Sequence, residues 1–178
     1  IGDKTQLLAL TLATRFRRPV PIILAILVAT LANHLLAALV GFHGADFIDR
    51  IGGQQVLRWI VGLSFIAMAA WTLIPDKLDD DLTGKGAAPR FGVFLTTLMS
   101  FFLVEMGDKT QIATVALAAR FHDVFGVAAG TTIGMLIANV PAVLLAGFAA
   151  QRLPLRAIRL VAAFLFAALG IAALIGYP

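Results

Sequence analysis

The chain is partitioned by its charges. From Pro21 to Val40, and again from Val124 to Ala149, there is no Asp, Glu, Lys or Arg. Each block is about one bilayer crossing long, since a helix needs about 20 apolar residues to span the hydrocarbon. Comparable blocks run from Val56 to Ile74, from Phe91 to Ala119 and from Ile158 to Tyr177. A backbone in lipid must satisfy its own hydrogen bonds, so blocks of this kind fold as helices. Only 13% of the residues are charged and 60% are hydrophobic, against about a quarter and a half in soluble domains. The chain is therefore expected to be an all-α, polytopic membrane protein, one domain over 1–178 with the lipid bilayer as its partner. Its formal charge of +4 does not point to nucleic acid, because the basic residues gather at the ends of the apolar blocks. The absence of cysteine excludes disulfides, thiolate metal sites and catalytic thiols.

Gly2 to Thr14 is too short to span and reads as the second half of a helix whose first half precedes Ile1. Pro19 and Pro21 suit the first turn of the next helix. Gly41 to Gln55, with Asp46, Asp49, Arg50 and the Gly52-Gly53 pair, is expected to be a loop. Trp59 and Trp71 fit interfacial belts. Residues 76–90 form an exposed, acidic linker. Its Asp79–Asp81 run reads as a solvated loop. Asp123 is a candidate N-cap. Gly126, Gly130 and Gly134 repeat every fourth residue, a pattern that lets membrane helices approach closely.

The most expensive residues lie inside the fourth block. Glu105-Met106-Gly107-Asp108-Lys109-Thr110-Gln111 places two carboxylates and an ammonium in a run from Phe91 to Ala119 that is otherwise uncharged. Charges at membrane depth mark ion or substrate pathways. The same words open the chain as Gly2-Asp3-Lys4-Thr5-Gln6, and the match continues through Arg15-Phe16 with Arg120-Phe121 and Asn33 with Asn139. Residues 1–75 and 91–178 thus form two three-helix repeats, six transmembrane helices with the first truncated at its N-terminus. An odd number of spans per repeat inverts one half relative to the other, the architecture of secondary transporters. Arg15, Arg17, Arg18, Lys77, Lys85, Arg90, Arg152, Arg156 and Arg159 then share one side, and Arg50, Arg58 and Arg120 the other. The first side, linker included, is cytoplasmic by the positive-inside rule.

On a continuous helix Glu105, Asp108 and Gln111 share a face. Asp3 and Gln6 keep that spacing, and the matching Glu would precede Ile1. Together with Thr5, Thr110, Asn33 and Asn139 they form an oxygen-donor set suited to hard cations such as Ca²⁺ and Mn²⁺. Gly2 and Gly107 can loosen the helix, and Pro141 can free the carbonyl of Ile137. Burial also disfavours the charged form of a carboxylate. Protons or one divalent cation can neutralise such a site, but not both together, which is the physical basis of antiport. Lys109 stands one turn after Glu105, in the favourable order for an intrahelical pair. Lys4 and Lys109 are read as balancing charge. The structural alternatives are a Glu–Lys pair that serves only packing, and asparagines that only join helices. His34, whose counterpart is Val140, reads as a packing or hydrogen-bonding residue.

Twin E-x-G-D-[KR]-[TS] motifs on six spans resemble the calcium/manganese–proton exchanger family of bacteria, chloroplasts and the Golgi. Glu105 to Thr110 matches the motif in full, and Gly2 to Thr5 matches it without the leading Glu. The resemblance implies exchange of Mn²⁺ or Ca²⁺ for protons, with Asp3, Glu105 and Asp108 as ligands and Gln6, Gln111, Thr5 and Thr110 as helpers. It implies export of Mn²⁺ across a bacterial inner membrane, with no cofactor beyond the transported ion and no enzymatic activity. The rival expectations are an exporter of a small organic solute, which needs a sizeable apolar-lined cavity, and a non-transporting assembly factor.

Overall fold

A computed structural model describes residues 4–74, 92–146 and 155–176. The described residues form six α-helices and no strand. They are α1 (Lys4–Phe16), α2 (Pro19–Thr72), α3 (Gly92–Glu105), α4 (Lys109–Phe121), α5 (Val124–Leu144) and α6 (Leu155–Ile175). Linker 76–90, Gly2 and the Asp79–Asp81 run lie outside the described residues.

The burial pattern is that of a protein bathed in lipid. Along the first part of α2, Ile22, Ala25, Ile26, Ala29, Thr30, Asn33, His34, Ala37, Ala38 and Gly41 are buried. Their alternating spacing of one and three residues makes a single stripe on a 3.6-residue helix. The outer face carries Leu24, Val28, Leu31, Leu36 and Leu39, all exposed. On α5 Ile137 is 69% exposed while its neighbour Asn139 is 0% exposed. Polar side chains point in and large aliphatics point out, which water would not tolerate over so wide a surface. By length and composition two of the described helices, α2 and α5, can cross a membrane, and Gly92–Glu105 and Arg159–Ile175 are shorter apolar helices.

The segment 41–55 is not a loop. Helix α2 continues through it and breaks at Gly53, whose φ of 72° and ψ of 171° suit a residue without a Cβ. At a rise of 1.5 Å per residue the arm 19–52 is about 50 Å long, well beyond a hydrocarbon core of about 30 Å. Packing overrides the turn-forming composition here. Ala45 is buried in a cluster with Leu57, Val61, Phe65, Ala116 and Ala173. The next residue, Asp46, meets His122 Nε2 through Oδ1 at 2.8 Å, and the Phe42 ring tilts against the His122 ring with centroids 4.9 Å apart. Asp49 and Arg50 stay at the surface of the helix. The break falls within the Gly52-Gly53 pair, and the arm 54–72 is helical over most of the apolar block 56–74.

Several local expectations hold. Helix α2 starts at Pro19, and Asp123 Oδ1 accepts the Gly126 N–H at 2.9 Å at the head of α5. The glycine stripe on α5 behaves otherwise. A Cβ on Gly130 or Gly134 would meet nothing within 4 Å, and the nearest group to one on Gly126 is the Asp123 carboxylate of its own cap. The close helix approaches among the described residues lie elsewhere. A Cβ on Gly41 would strike the Val115 carbonyl of α4, and Gly62 and Gly170 face each other between α2 and α6. A four-residue glycine spacing shows that a helix can be approached closely, and the opposing helix decides whether it is.

Helix α1 packs on α5 and α3, while α4 packs on α2. The helix that follows each motif therefore lies against a long helix distant in sequence.

Candidate membrane-embedded cation site

The fourth apolar block does not form one helix. Helix α3 stops at Glu105, and Gly107 takes a φ of +76°. Asp108 turns extended, φ −76° and ψ 162°, to become the N-cap residue of α4. Glu105, Asp108 and Gln111 thus do not share one helical face, and the expected intrahelical Glu105–Lys109 pair is absent. Lys109 Nζ instead donates to the Ile74 carbonyl at 3.0 Å and lies 5.5 Å from the Trp71 ring centroid. The reason is backbone geometry: a glycine in the left-handed region ends a right-handed helix. Gln111 is drawn into repairing the break. Its Oε1 accepts the Gly107 N–H at 2.6 Å. The Thr110 hydroxyl donates to Asp108 Oδ2 at 3.0 Å and steadies that carboxylate.

Glu105 is fully buried and Asp108 is 2% exposed. Asn33 reaches across from α2. Its Nδ2 donates to Glu105 Oε2 at 3.1 Å and to the Phe102 carbonyl at 3.1 Å. Asn33 Oδ1, Glu105 Oε1 and Thr30 Oγ1 have no hydrogen-bond partner, and neither side-chain atom of Asn139 has one. Buried polar atoms are normally satisfied, and each orphan costs about 1–3 kcal/mol. Most of these orphans are oxygens, the donor type that a hard cation takes.

The two motifs meet. Lys4 Nζ, from the first, lies 3.5 Å from Asp108 Oδ1 of the second. Gln6 Nε2 donates to the Ala138 carbonyl at 3.1 Å, and the Thr5 hydroxyl lies 3.9 Å from Met135 Sδ, both on α5. Asp3 lies outside the described residues. Among those that are described, no three His, Asp or Glu side chains converge closely enough to hold a metal, so the acids present form an open-sided set.

His34 is buried beside Thr132, in keeping with its expected packing or hydrogen-bonding role, and Thr30 and Thr132 lie in the same polar region. His34 is 1% exposed, with Nε2 3.6 Å from Glu105 Oε1 and Nδ1 3.5 Å from Thr132 Oγ1. Thr30, Asn33 and His34 stand three and four residues apart in an otherwise apolar run. That spacing alone signals a polar stripe on one face.

Beside the site lies a cavity of about 670 Å³, lined by Thr5, Gln6, His34, Lys109, Thr110 and Asn139 among others. Its size falls within the range of small-molecule pockets, about 300–1,000 Å³, and Ile137, Leu165 and Phe166 also line it. The cavity by itself thus suits an organic solute as well as a hydrated cation. Kinship separates the two. The profile of the divalent cation/proton antiporter GDT1 family matches residues 1–80 and 93–177. The chain belongs to that family. A Vibrio cholerae protein named "Putative manganese exporter" is 49% identical over 97% of this chain and 82% of its own length. A GDT1-like protein of Synechocystis is 28% identical over 93% of this chain and 86% of its own. GDT1-like protein 3 of Arabidopsis thaliana is 29% identical over 93% of this chain and 63% of its own. No solved structure matches significantly. The family comprises transporters, not enzymes, and its divalent cations are substrates in place of cofactors. Glu105 and Asp108, the acids of the full motif, are both buried.

Proposed function

We propose that this antiporter moves Mn²⁺ out of the cytoplasm in exchange for protons, across a bacterial inner membrane. The name of the Vibrio cholerae relative supports the ion and the direction. Asp3, Glu105 and Asp108 supply the carboxylates. Asn33, Asn139, Thr5, Thr110, Gln6 and Gln111 supply further oxygens or hold the acids in place. This oxygen set accepts Ca²⁺ as well as Mn²⁺.

The observation that carries the reading is Glu105. It is fully buried, tied to Asn33 through one oxygen, and has no hydrogen-bond partner for the other. An uncompensated buried charge costs several kcal/mol. A proton or a cation removes that cost, and each displaces the other. Loading the metal on one side and protons on the other then drives exchange, provided the site opens to the two sides alternately.

The proposed route to alternating access is a pair of inverted three-helix halves, 1–75 and 91–178, joined by a cytoplasmic linker over 76–90. Helices α1 and α4 support it, because both carry the motif's Lys-Thr-Gln and both end at an Arg-Phe pair, Arg15-Phe16 and Arg120-Phe121. The unequal distribution of Arg and Lys along the chain supports the sidedness. The test is a proteoliposome assay with an imposed pH gradient. Mn²⁺ uptake should follow the gradient and vanish in Glu105→Gln. Uptake indifferent to the gradient refutes antiport, and uptake unchanged in the variant refutes the assignment of Glu105.

A further inference from the structure

The two halves are not chemically equal at the site. Asn33 and Asn139 match, but the next residue is His34 in one half and Val140 in the other. His34 is 1% exposed, at the edge of the cavity beside the site. Its Nε2 has no hydrogen-bond partner. The atom it faces, Glu105 Oε1, lies 3.6 Å away and has none either. That separation is too long for a hydrogen bond. A neutral imidazole nitrogen and a carboxylate oxygen both offer lone pairs, and two orphaned lone-pair atoms facing each other leave room for an electron-pair acceptor between them. Bonds of about 2.1 Å, the usual length from imidazole to a transition metal such as zinc, span that gap at an angle of about 120°.

We propose that His34 Nε2 is a donor to the transported ion and biases this site toward Mn²⁺ and other first-row transition ions against Ca²⁺ and Mg²⁺. The inference rests on Glu105 being a cation ligand, as argued above. Thr132 on α5 completes the arrangement. Its Oγ1 lies 3.5 Å from His34 Nδ1. With the ring proton on Nδ1, the side that Thr132 approaches, Nε2 keeps its lone pair 3.6 Å from Glu105 Oε1. Metal-binding imidazoles are commonly held this way, the second nitrogen donating to a fixed oxygen that sets the tautomer and ring angle. The selectivity follows from ligand type. Ca²⁺ and Mg²⁺ take oxygen ligands, whereas imidazole nitrogen favours first-row transition ions. Asn33, Thr30 and Glu105 alone would offer no such distinction. The bias works against the weaker-binding ion as much as for the preferred one. Seating Ca²⁺ here means replacing a water oxygen with a nitrogen that it binds poorly. The valine at position 140 means that only one half contributes this donor.

The experiment uses the full chain, purified and loaded with Mn²⁺, and reads pulsed electron paramagnetic resonance of the bound ion. Wild type should show coupling to a directly bonded ¹⁴N nucleus, and His34→Gln should lose it. Isothermal titration should show Mn²⁺ affinity falling on the order of tenfold to a hundredfold in His34→Gln, with Ca²⁺ affinity unchanged or tighter. Bound Mn²⁺ that shows no ¹⁴N coupling in wild type overturns the proposal, and this arm requires no variant to fold. Equal losses of Mn²⁺ and Ca²⁺ affinity overturn it too, since a purely structural role for His34 would weaken both. Glu105→Gln separates the two levels of inference. Mn²⁺ binding that is lost in Glu105→Gln but lacks nitrogen coupling removes His34 alone. Binding that survives Glu105→Gln removes the site on which His34 depends.

Discussion

Glu105→Gln tests the physical core of the mechanism, because it keeps the shape of the side chain and removes its charge. In the metal-free protein the amide oxygen can still accept from Asn33 Nδ2, now 3.1 Å from Glu105 Oε2. The amide nitrogen can donate toward His34 Nε2, now 3.6 Å from the other oxygen. A buried carboxylate with one hydrogen-bonded oxygen is thereby replaced by a neutral amide that keeps the Asn33 bond. Metal-free stability should stay level or rise, as with other isosteric removals of buried charge. Cation binding behaves oppositely. At a Mn²⁺ concentration about 100 times the wild-type Kd, binding stabilises the folded state by about 2.7 kcal/mol. If losing one carboxylate weakens binding about a hundredfold, the same concentration contributes only about 0.4 kcal/mol. For a chain of this size the difference of about 2.3 kcal/mol is worth about 5–9 °C in Tm. Thermal unfolding in detergent, with and without Mn²⁺, reads both signs at once. A variant that keeps the full Mn²⁺-induced rise refutes the claim that Glu105 is a ligand. A variant that loses several degrees without metal refutes the claim that its second oxygen is unsatisfied.

Further outcomes follow from the backbone and from the contact between halves. Gly107→Ala places a Cβ at a φ of +76° with no neighbour within 4 Å, so its cost is conformational only, about 1–2 kcal/mol; a lower Tm with intact assembly checks it. Gly41→Ala drives a methyl group into the Val115 carbonyl and should separate α2 from α4 at about 1–3 kcal/mol. Gly130→Ala and Gly134→Ala, facing open space, should be neutral or gain up to about 1 kcal/mol of helix propensity. Chemical or thermal unfolding of the three variants side by side tests whether α5 really leaves its glycines uncovered. Lys4→Gln removes the cation 3.5 Å from Asp108 Oδ1 and should tighten Mn²⁺ binding in calorimetric titration, since the lysine competes with the metal for that carboxylate. Unchanged or weaker binding would show that Lys4 positions the site and does not oppose the ion.

The sequence alone determined the class of the protein. Blocks free of charge must be helices in lipid, and two copies of one charged phrase inside such blocks can be spared only for function. The acids Glu105 and Asp108, the asparagine Asn33 and the cap at Asp123 were legible because each is a local signal: a polar group where polarity is costly, or a capping side chain beside an apolar run. Tertiary structure decided what depends on the facing element. Residues 41–52 carry turn-forming composition yet remain helical, because Ala45 and Asp46 find partners on other helices. Gly130 and Gly134 of α5 have the right spacing for close packing but meet nothing within 4 Å among the described residues, while Gly41, four residues from Ala37 and from Ala45, admits α4. The motif itself reads as one helical face, and Gly107 breaks it, turning Gln111 from a candidate ligand into the acceptor for an unpaired backbone N–H. His34 reads from sequence as a packing or hydrogen-bonding residue because its counterpart is a valine. Only the fold, by bringing α3 against α2, set its unpaired nitrogen opposite an unpaired carboxylate oxygen. Local chemistry is written along the chain, whereas the choice of partner belongs to the opposite surface, which no single stretch of sequence contains.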